Sequence, residues 1–238
     1  MPRRVALLTD AESYVGPALA RVLASRGHDL VLASAAPGLA DELTALGAAV
    51  EIVGSSDDET LVDAARRRFG RLDAAVTFSG RIVTGRFLRS TVEDLHAVLT
   101  GCMEAPYRFL RAVVPPMVEQ GEGQVLVITS AAAARPTPGA PLYSAARAGA
   151  VMLVRNVAAE VAGHGVQVNS VGTNFMDFPG FLKANRAEDP EGRARVEAQV
   201  PMKRLGTMEE FAHFCSVFLD GTSRFTTGQF VPYAGGWA

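Results

Sequence analysis

Val5-Ala6-Leu7-Leu8-Thr9-Asp10-Ala11-Glu12-Ser13-Tyr14-Val15-Gly16 is the stretch on which the fold turns. An aliphatic run of strand length ends at Thr9-Asp10 and a pattern of helical period begins at Gly16, so it reads as strand, turn and helix. The same alternation recurs along the chain. Strands are expected at Val5–Thr9, Leu30–Ala33, Val50–Val53, Ala74–Phe78, Val125–Thr129, Val166–Val171 and Phe230–Val231. Helices are expected at Gly16–Ser25, Leu39–Leu46, Glu59–Phe69, Val92–Met117, Tyr143–Val161 and Glu209–Leu219. Gly27, Gly47, Gly70 and Gly163 each follow a helical pattern, as left-handed C-cap residues do. Repeated strand–helix units specify a parallel sheet covered by helices on both faces. The expected architecture is therefore α/β: one domain over residues 1–238, a doubly wound parallel sheet of about seven strands.

Composition agrees with one compact domain. The 238 residues are 48% apolar and 20% charged, enough for a sizeable core. Lys+Arg number 23 against 25 Asp+Glu, a net charge of -2, so no basic field attracts nucleic acid or an acidic membrane, and neither partner is expected. Cys102 and Cys215 lack zinc spacing and read as reduced thiols of an intracellular protein. The apolar run Val5–Leu8 is too short for a signal segment or a membrane span, so the expected location is the cytoplasm. His28, His96, His164 and His213 are scattered without ligand spacing and read as surface or helix-end residues, and no metal is expected. The Ala131–Ala134 tract reads as a loop of small side chains. Thr173–Gly206 is one long, weakly regular stretch leaving the carboxyl edge of the sheet, where such folds bind ligands; Phe175, Met176, Phe178 and Phe181 would give it an apolar wall.

A dinucleotide-binding Rossmann turn needs glycines, so that the backbone can approach a diphosphate at the helix N-terminus. Only Gly16 answers that need here. Asp10 and Glu12 bring negative charge and Tyr14 a bulky ring to the place a diphosphate would occupy. The second strand ends Leu32-Ala33-Ser34, with no acid for a ribose and no arginine for a 2′-phosphate. On this reading no cofactor is expected.

Ser130 ends the fifth strand, and Tyr143 and Arg147 lie one helical turn apart at the start of the helix that follows. All three come to the carboxyl edge of the sheet, so a hydroxyl, a phenol and a guanidinium can converge on one ligand atom. A fixed positive charge favours the phenolate, and Ser130 can hold a substrate oxygen.

The order of elements, the Ser130, Tyr143 and Arg147 set, and the closing Thr227-Gly228-Gln229 and Ala234-Gly235-Gly236 resemble the short-chain dehydrogenase/reductase superfamily over nearly the whole chain. Cofactor-using members carry lysine at Arg147 and asparagines where this chain has Phe78-Ser79-Gly80 and, further on, Cys102. These departures resemble the halohydrin dehalogenases, marked by Thr-x4-(Phe/Tyr)-x-Gly, here Thr9, Tyr14 and Gly16, and by Ser-x12-Tyr-x3-Arg, here Ser130, Tyr143 and Arg147. The resemblance implies a cofactor-independent lyase that closes a vicinal halohydrin to an epoxide, halide and a proton, and reopens epoxides with azide, cyanide or nitrite. Tyr143 would be the general base, Arg147 would lower its pKa and Ser130 would orient the oxygen. Tyr14, Thr173, Asn174, Phe175 and Met176 would bind the halide or other small anion, the loop amides from Thr173 to Met176 facing it, with Tyr14 alternatively an inert filler of the empty cofactor cleft. Phe78, Thr84, Leu142, Phe181 and Trp237 would line the substrate pocket, Trp237 either reaching a neighbouring subunit's pocket or buried at an interface of the homotetramer that the resemblance implies. The alternatives are an NAD(P)-dependent short-chain alcohol dehydrogenase/reductase with an eroded glycine turn, and a non-catalytic regulator that kept the fold.

Overall fold

Both faces of the first strand are apolar, as a strand sandwiched between two helical layers requires. Ala6 and Leu8 join one core and Val5 and Leu7 the other. The structure, a computed structural model, describes residues 3–78 and 84–238. Its strands are β1 (Arg4–Leu8), β2 (His28–Leu32), β3 (Val50–Ile52), β4 (Ala74–Phe78), β5 (Gly123–Ser130), β6 (Val166–Thr173) and β7 (Phe230–Tyr233). They form one parallel, seven-stranded sheet in the order β3-β2-β1-β4-β5-β6-β7. The order reverses between β1 and β4, and the crevice at that switch point is where open α/β sheets bind ligands.

The helices are α1 (Gly16–Ser25), α2 (Leu39–Ala45), α3 (Asp58–Phe69), α4 (Val92–Leu99), α5 (Ala105–Gln120), α6 (Pro141–Val161), α7 (Pro179–Ala184), α8 (Pro190–Glu197) and α9 (Met208–Ser216). Leu19 and Leu23 of α1, Leu39 and Leu43 of α2 and Phe211 of α9 close one core. Leu61 of α3, Phe109 and Val113 of α5 and Val154 of α6 close the other. Each such side chain contributes about 1.5–3 kcal/mol on full burial, which fixes the layers firmly.

Several expectations change. The helix expected over Val92–Met117 is interrupted by a π-helical turn at Thr100–Glu104 and then runs on to Gln120. Pro106 has no amide hydrogen and its ring crowds the carbonyl four residues back, so the ladder widens just before it. The Ala131–Ala134 tract is a 3-10 turn. Gly27, Gly47 and Gly70 are left-handed as expected, but Gly163 lies inside a 3-10 turn and Gly165, at φ 78°, takes that role. The stretch Thr173–Gly206 contains α7 and α8, each with proline in its first turn, and Asp189 caps α8 by accepting from the Gly192 amide at 2.7 Å.

His28 is not a surface histidine but fully buried at the start of β2. Burial, with the Arg4 charge behind it, holds its imidazole below the ordinary value, against the opposing effect of the Leu23 and Leu219 carbonyls. The folded protein therefore resists a proton that the unfolded chain takes up, and stability falls as pH drops below about 6.5. We expect His28→Gln to flatten the loss of urea stability between neutral and mildly acidic pH, by up to about 1.4 kcal/mol per pH unit. Parallel slopes for variant and wild type would refute this.

Among the described residues no helix is long and apolar enough to cross a membrane, and no group of three side chains could hold a metal ion.

Candidate active site

Ser130 sits at the carboxyl end of β5, opposite Thr173 at the end of β6. Its hydroxyl accepts from the Ala132 amide at 3.2 Å and lies 3.5 Å from the Thr173 carbonyl oxygen. The strands come this close because of Gly172, where a Cβ would stand 2.6 Å from both the carbonyl carbon and oxygen of Ser130. Gly172 is a positioning residue that the sequence reading passed over; a glycine inside a strand is the signal that could have found it.

Tyr143 lies in the first turn of α6 and Arg147 one turn further, both buried, at 7% and 3% exposure. The Arg147 guanidinium carbon stands 4.9 Å from the centroid of the Tyr143 ring. A cation held out of bulk water over the face of a phenol ring is attracted to it and keeps the ring in place. Below them Cys102, on the π-helical turn, packs with Tyr143 and Ala146. Burial pushes the Cys102 thiol up, opposed by the Arg147 charge, so it stays protonated and apolar in behaviour.

The first turn folds on itself. Asp10 accepts from the amides of Glu12 at 2.8 Å and Ser13 at 2.9 Å, and from the Ser13 hydroxyl at 2.6 Å. The backbone donors that would meet a bound anion thus already hold the chain's own carboxylate. Tyr14 is left-handed, at φ 51°, and its ring packs edge-on against Phe178 with centroids 4.8 Å apart. Its hydroxyl shares a 2.7 Å hydrogen bond with Thr173 Oγ1. Burial pushes the phenol well above its ordinary value despite that hydrogen bond, so Tyr14 is a neutral group and no second base. Gly16 is the one residue that fits behind it, since a Cβ there would meet the Asp10 carbonyl oxygen at 2.1 Å.

One cavity of about 820 Å³ gathers these groups. Its lining includes Ser130, Tyr143 and Arg147, together with Tyr14, Thr173, Asn174, Phe175 and Met176, and Phe78, Thr84, Phe181 and Trp237. Trp237 therefore lines the pocket of its own chain. Leu142 does not line it: it packs against the Val98 and Cys102 cluster and borders a smaller neighbouring cavity. The loop after β6 is tied back by hydrogen bonds from the Gly206 amide to the Phe175 carbonyl, at 3.0 Å, and from the Asp177 amide to the Gly206 carbonyl, at 2.8 Å. The Phe175 amide, one of those expected to face an anion, donates instead to Asn174 Oδ1 at 2.9 Å. Ser79 and Gly80, expected to replace a family asparagine, lie outside the described residues.

Fold, seven-stranded order and the Ser–Tyr–Arg site define a dehydrogenase/reductase-type α/β protein. The chain belongs to the short-chain dehydrogenase/reductase superfamily: residues 11–238 match the family model described as enoyl-(acyl carrier protein) reductase. It is 31% identical to an uncharacterized oxidoreductase of Mycobacterium tuberculosis, covering 97% of this chain and 90% of that one. It is 27% identical to the 3-oxoacyl-[acyl-carrier-protein] reductase FabG of Escherichia coli, covering 98% and 96%. A solved structure of a dehalogenation enzyme superposes with a TM-score of 0.86 at 27% identity, covering 99% and 98%.

These relatives correct one expectation. The expected cofactor-independent lyase is contradicted by the chain's kinship: two curated relatives matching nearly all of it are an oxidoreductase and a reductase by name, and reduction requires an electron donor. The nicotinamide dinucleotide that the family implies does not, however, fit the first turn as it is folded. Asp10 occupies the amides that would meet the diphosphate, and the Tyr14 ring lies beside them, packed on Phe178 and hydrogen-bonded to Thr173.

Proposed function

We propose that the protein is a short-chain dehydrogenase/reductase-type enzyme in which Tyr143 exchanges a proton with the oxygen of a small hydroxylated or carbonyl substrate. Ser130 holds that oxygen by hydrogen bonding, and Arg147 stabilises the phenolate. The observation that carries this reading is the buried Tyr143 with a guanidinium 4.9 Å from its ring centroid, opening with Ser130 onto one cavity.

Two reactions use such a proton transfer. Interconversion of an alcohol and a carbonyl is supported by the family match and by the oxidoreductase and reductase relatives. Halohydrin dehalogenation is favoured by a specific observation, the misfit of the Asp10 and Tyr14 turn to a diphosphate, and by the likeness to a dehalogenation enzyme at 27% identity. In that reaction Tyr143 takes the hydroxyl proton, the oxygen displaces halide from the neighbouring carbon, and the site holds oxygen and halogen antiperiplanar.

One preparation tests both. A secondary alcohol with NAD+ or NADP+ reports the first reaction by the absorbance of reduced nicotinamide. A vicinal bromohydrin alone reports the second by bromide and acid release. We expect turnover in one of the two assays; silence in both would remove the proposal. A homotetramer is proposed with this reading, and light scattering checks it.

A further inference from the structure

Trp237 is the chain's single tryptophan, and it forms part of the wall of the cavity that holds Ser130 and Tyr143. Its indole packs on the cluster of Phe175, Val196, Val200 and Leu205, and Arg135, which follows the 3-10 turn after Ser130, clamps it from the exposed side. Arg135 Nη1 donates to the Trp237 carbonyl oxygen at 2.7 Å, and its guanidinium carbon stands 4.6 Å from the indole centroid. The indole in turn meets Phe175 edge-on with centroids 5.6 Å apart, and Phe175 meets Phe181 at 5.9 Å. Phe175 is left-handed, at φ 58°, a conformation that costs a bulky residue free energy and persists only where its neighbours hold it. Phe175 also borders a second cavity, of about 330 Å³, on the side of Val200 and Tyr233.

We propose that Arg135 determines the substrate size the enzyme accepts: by fixing Trp237 it holds the Trp237 and Phe175 wall in place and limits the substituent carried beside the reacting oxygen. The inference rests on Tyr143 being the proton-transfer group of this cavity. Arg135 does not itself line the cavity, so it is a positioning residue acting through the indole. Its side chain is exposed, and its two contacts with Trp237 can be broken without opening either core. With Arg135 gone the indole can swing outward, and Phe175 loses a ring that braces its strained backbone. The space gained adjoins the smaller cavity and suits a phenyl-sized substituent.

The single tryptophan makes the test direct. Arg135→Ala and Arg135→Lys are compared with wild type by acrylamide quenching of Trp237 fluorescence. The same proteins are assayed for kcat/KM on a phenyl-bearing and a methyl-bearing substrate of whichever reaction the wild type runs. We expect Arg135→Ala to raise the quenching constant about twofold and the phenyl-to-methyl ratio about tenfold, mainly through a lower KM for the phenyl substrate. Arg135→Lys, which keeps charge and one donor, should fall between. Unchanged quenching overturns the proposal, and so does increased quenching with an unchanged ratio. Should the wild type run neither reaction, the reading of Tyr143 fails separately. The proposal is then decided by the affinity ratio for 1-phenylethanol over 2-propanol, read from the same fluorescence.

Discussion

Tyr143→Phe should lose turnover by about a thousandfold or more while melting at nearly the wild-type temperature. Phenylalanine keeps the ring that packs with Ala146 and Cys102 and faces Arg147, so the fold loses little. What disappears is the phenol oxygen that, on the proposed reading, exchanges a proton with the substrate. Tyr14 cannot substitute for it, because its own hydroxyl is neutral and engaged with Thr173. The measurement is a single-turnover rate beside a thermal melt. A wild-type rate from this variant would remove Tyr143 from the reaction, whichever of the two reactions is observed.

Gly172→Ala should damage both stability and activity although the residue carries no functional group. The added methyl would lie 2.6 Å from the Ser130 carbonyl carbon and oxygen and 2.7 Å from the Phe230 ring, so β5, β6 and β7 cannot keep their spacing at the site. Overpacking of this kind costs about 1–3 kcal/mol. Moving Ser130 by a fraction of an ångström to an ångström costs on the order of a hundredfold in rate. Gly163→Ala is the control, since a Cβ there meets nothing within 4 Å. Equal urea midpoints and equal rates for the two variants would show that the strand spacing at Ser130 is not under this constraint.

The sheet was legible because both of its cores are written in alternation: Val5 and Leu7 against Ala6 and Leu8 is a pattern that only a doubly covered strand needs. Helix boundaries were legible where an unambiguous stop such as Gly70 followed the last turn. The π-helical turn was not, because Thr100–Glu104 keeps a helical periodicity and only Pro106 disturbs the ladder. α7 and α8 were missed because both are short and α8 is mostly polar, although Asp189-Pro190 carries a start signal. At the site, Ser130, Tyr143 and Arg147 were legible from spacing, since strand end and helix start must share the carboxyl edge. Leu142 was misplaced because adjacent residues of a helix point about a quarter-turn apart, and Tyr143 alone takes the inward direction. Arg135 could not be found from sequence: its partner is a ring far along the chain, and nothing local marks an exposed arginine that reaches it.

The parallel order of the sheet also decides when this protein becomes competent. β1 waits for β4 before its second edge is filled, and Ser170 through Thr173 pair with Phe230 through Tyr233 only after α7, α8 and α9 have been made. Such long-range pairings close late, because the loop entropy is lost before any contact repays it. During synthesis the nascent chain therefore carries Ser130, Tyr143 and Arg147 well before the last strand has emerged, with the outer edge of β6 still bare. Completion of the candidate site therefore waits on the pairing of β7 with β6. A ribosome stalled before Phe230 would hold a chain with every reactive group present and an open β6 edge, a natural client for chaperones.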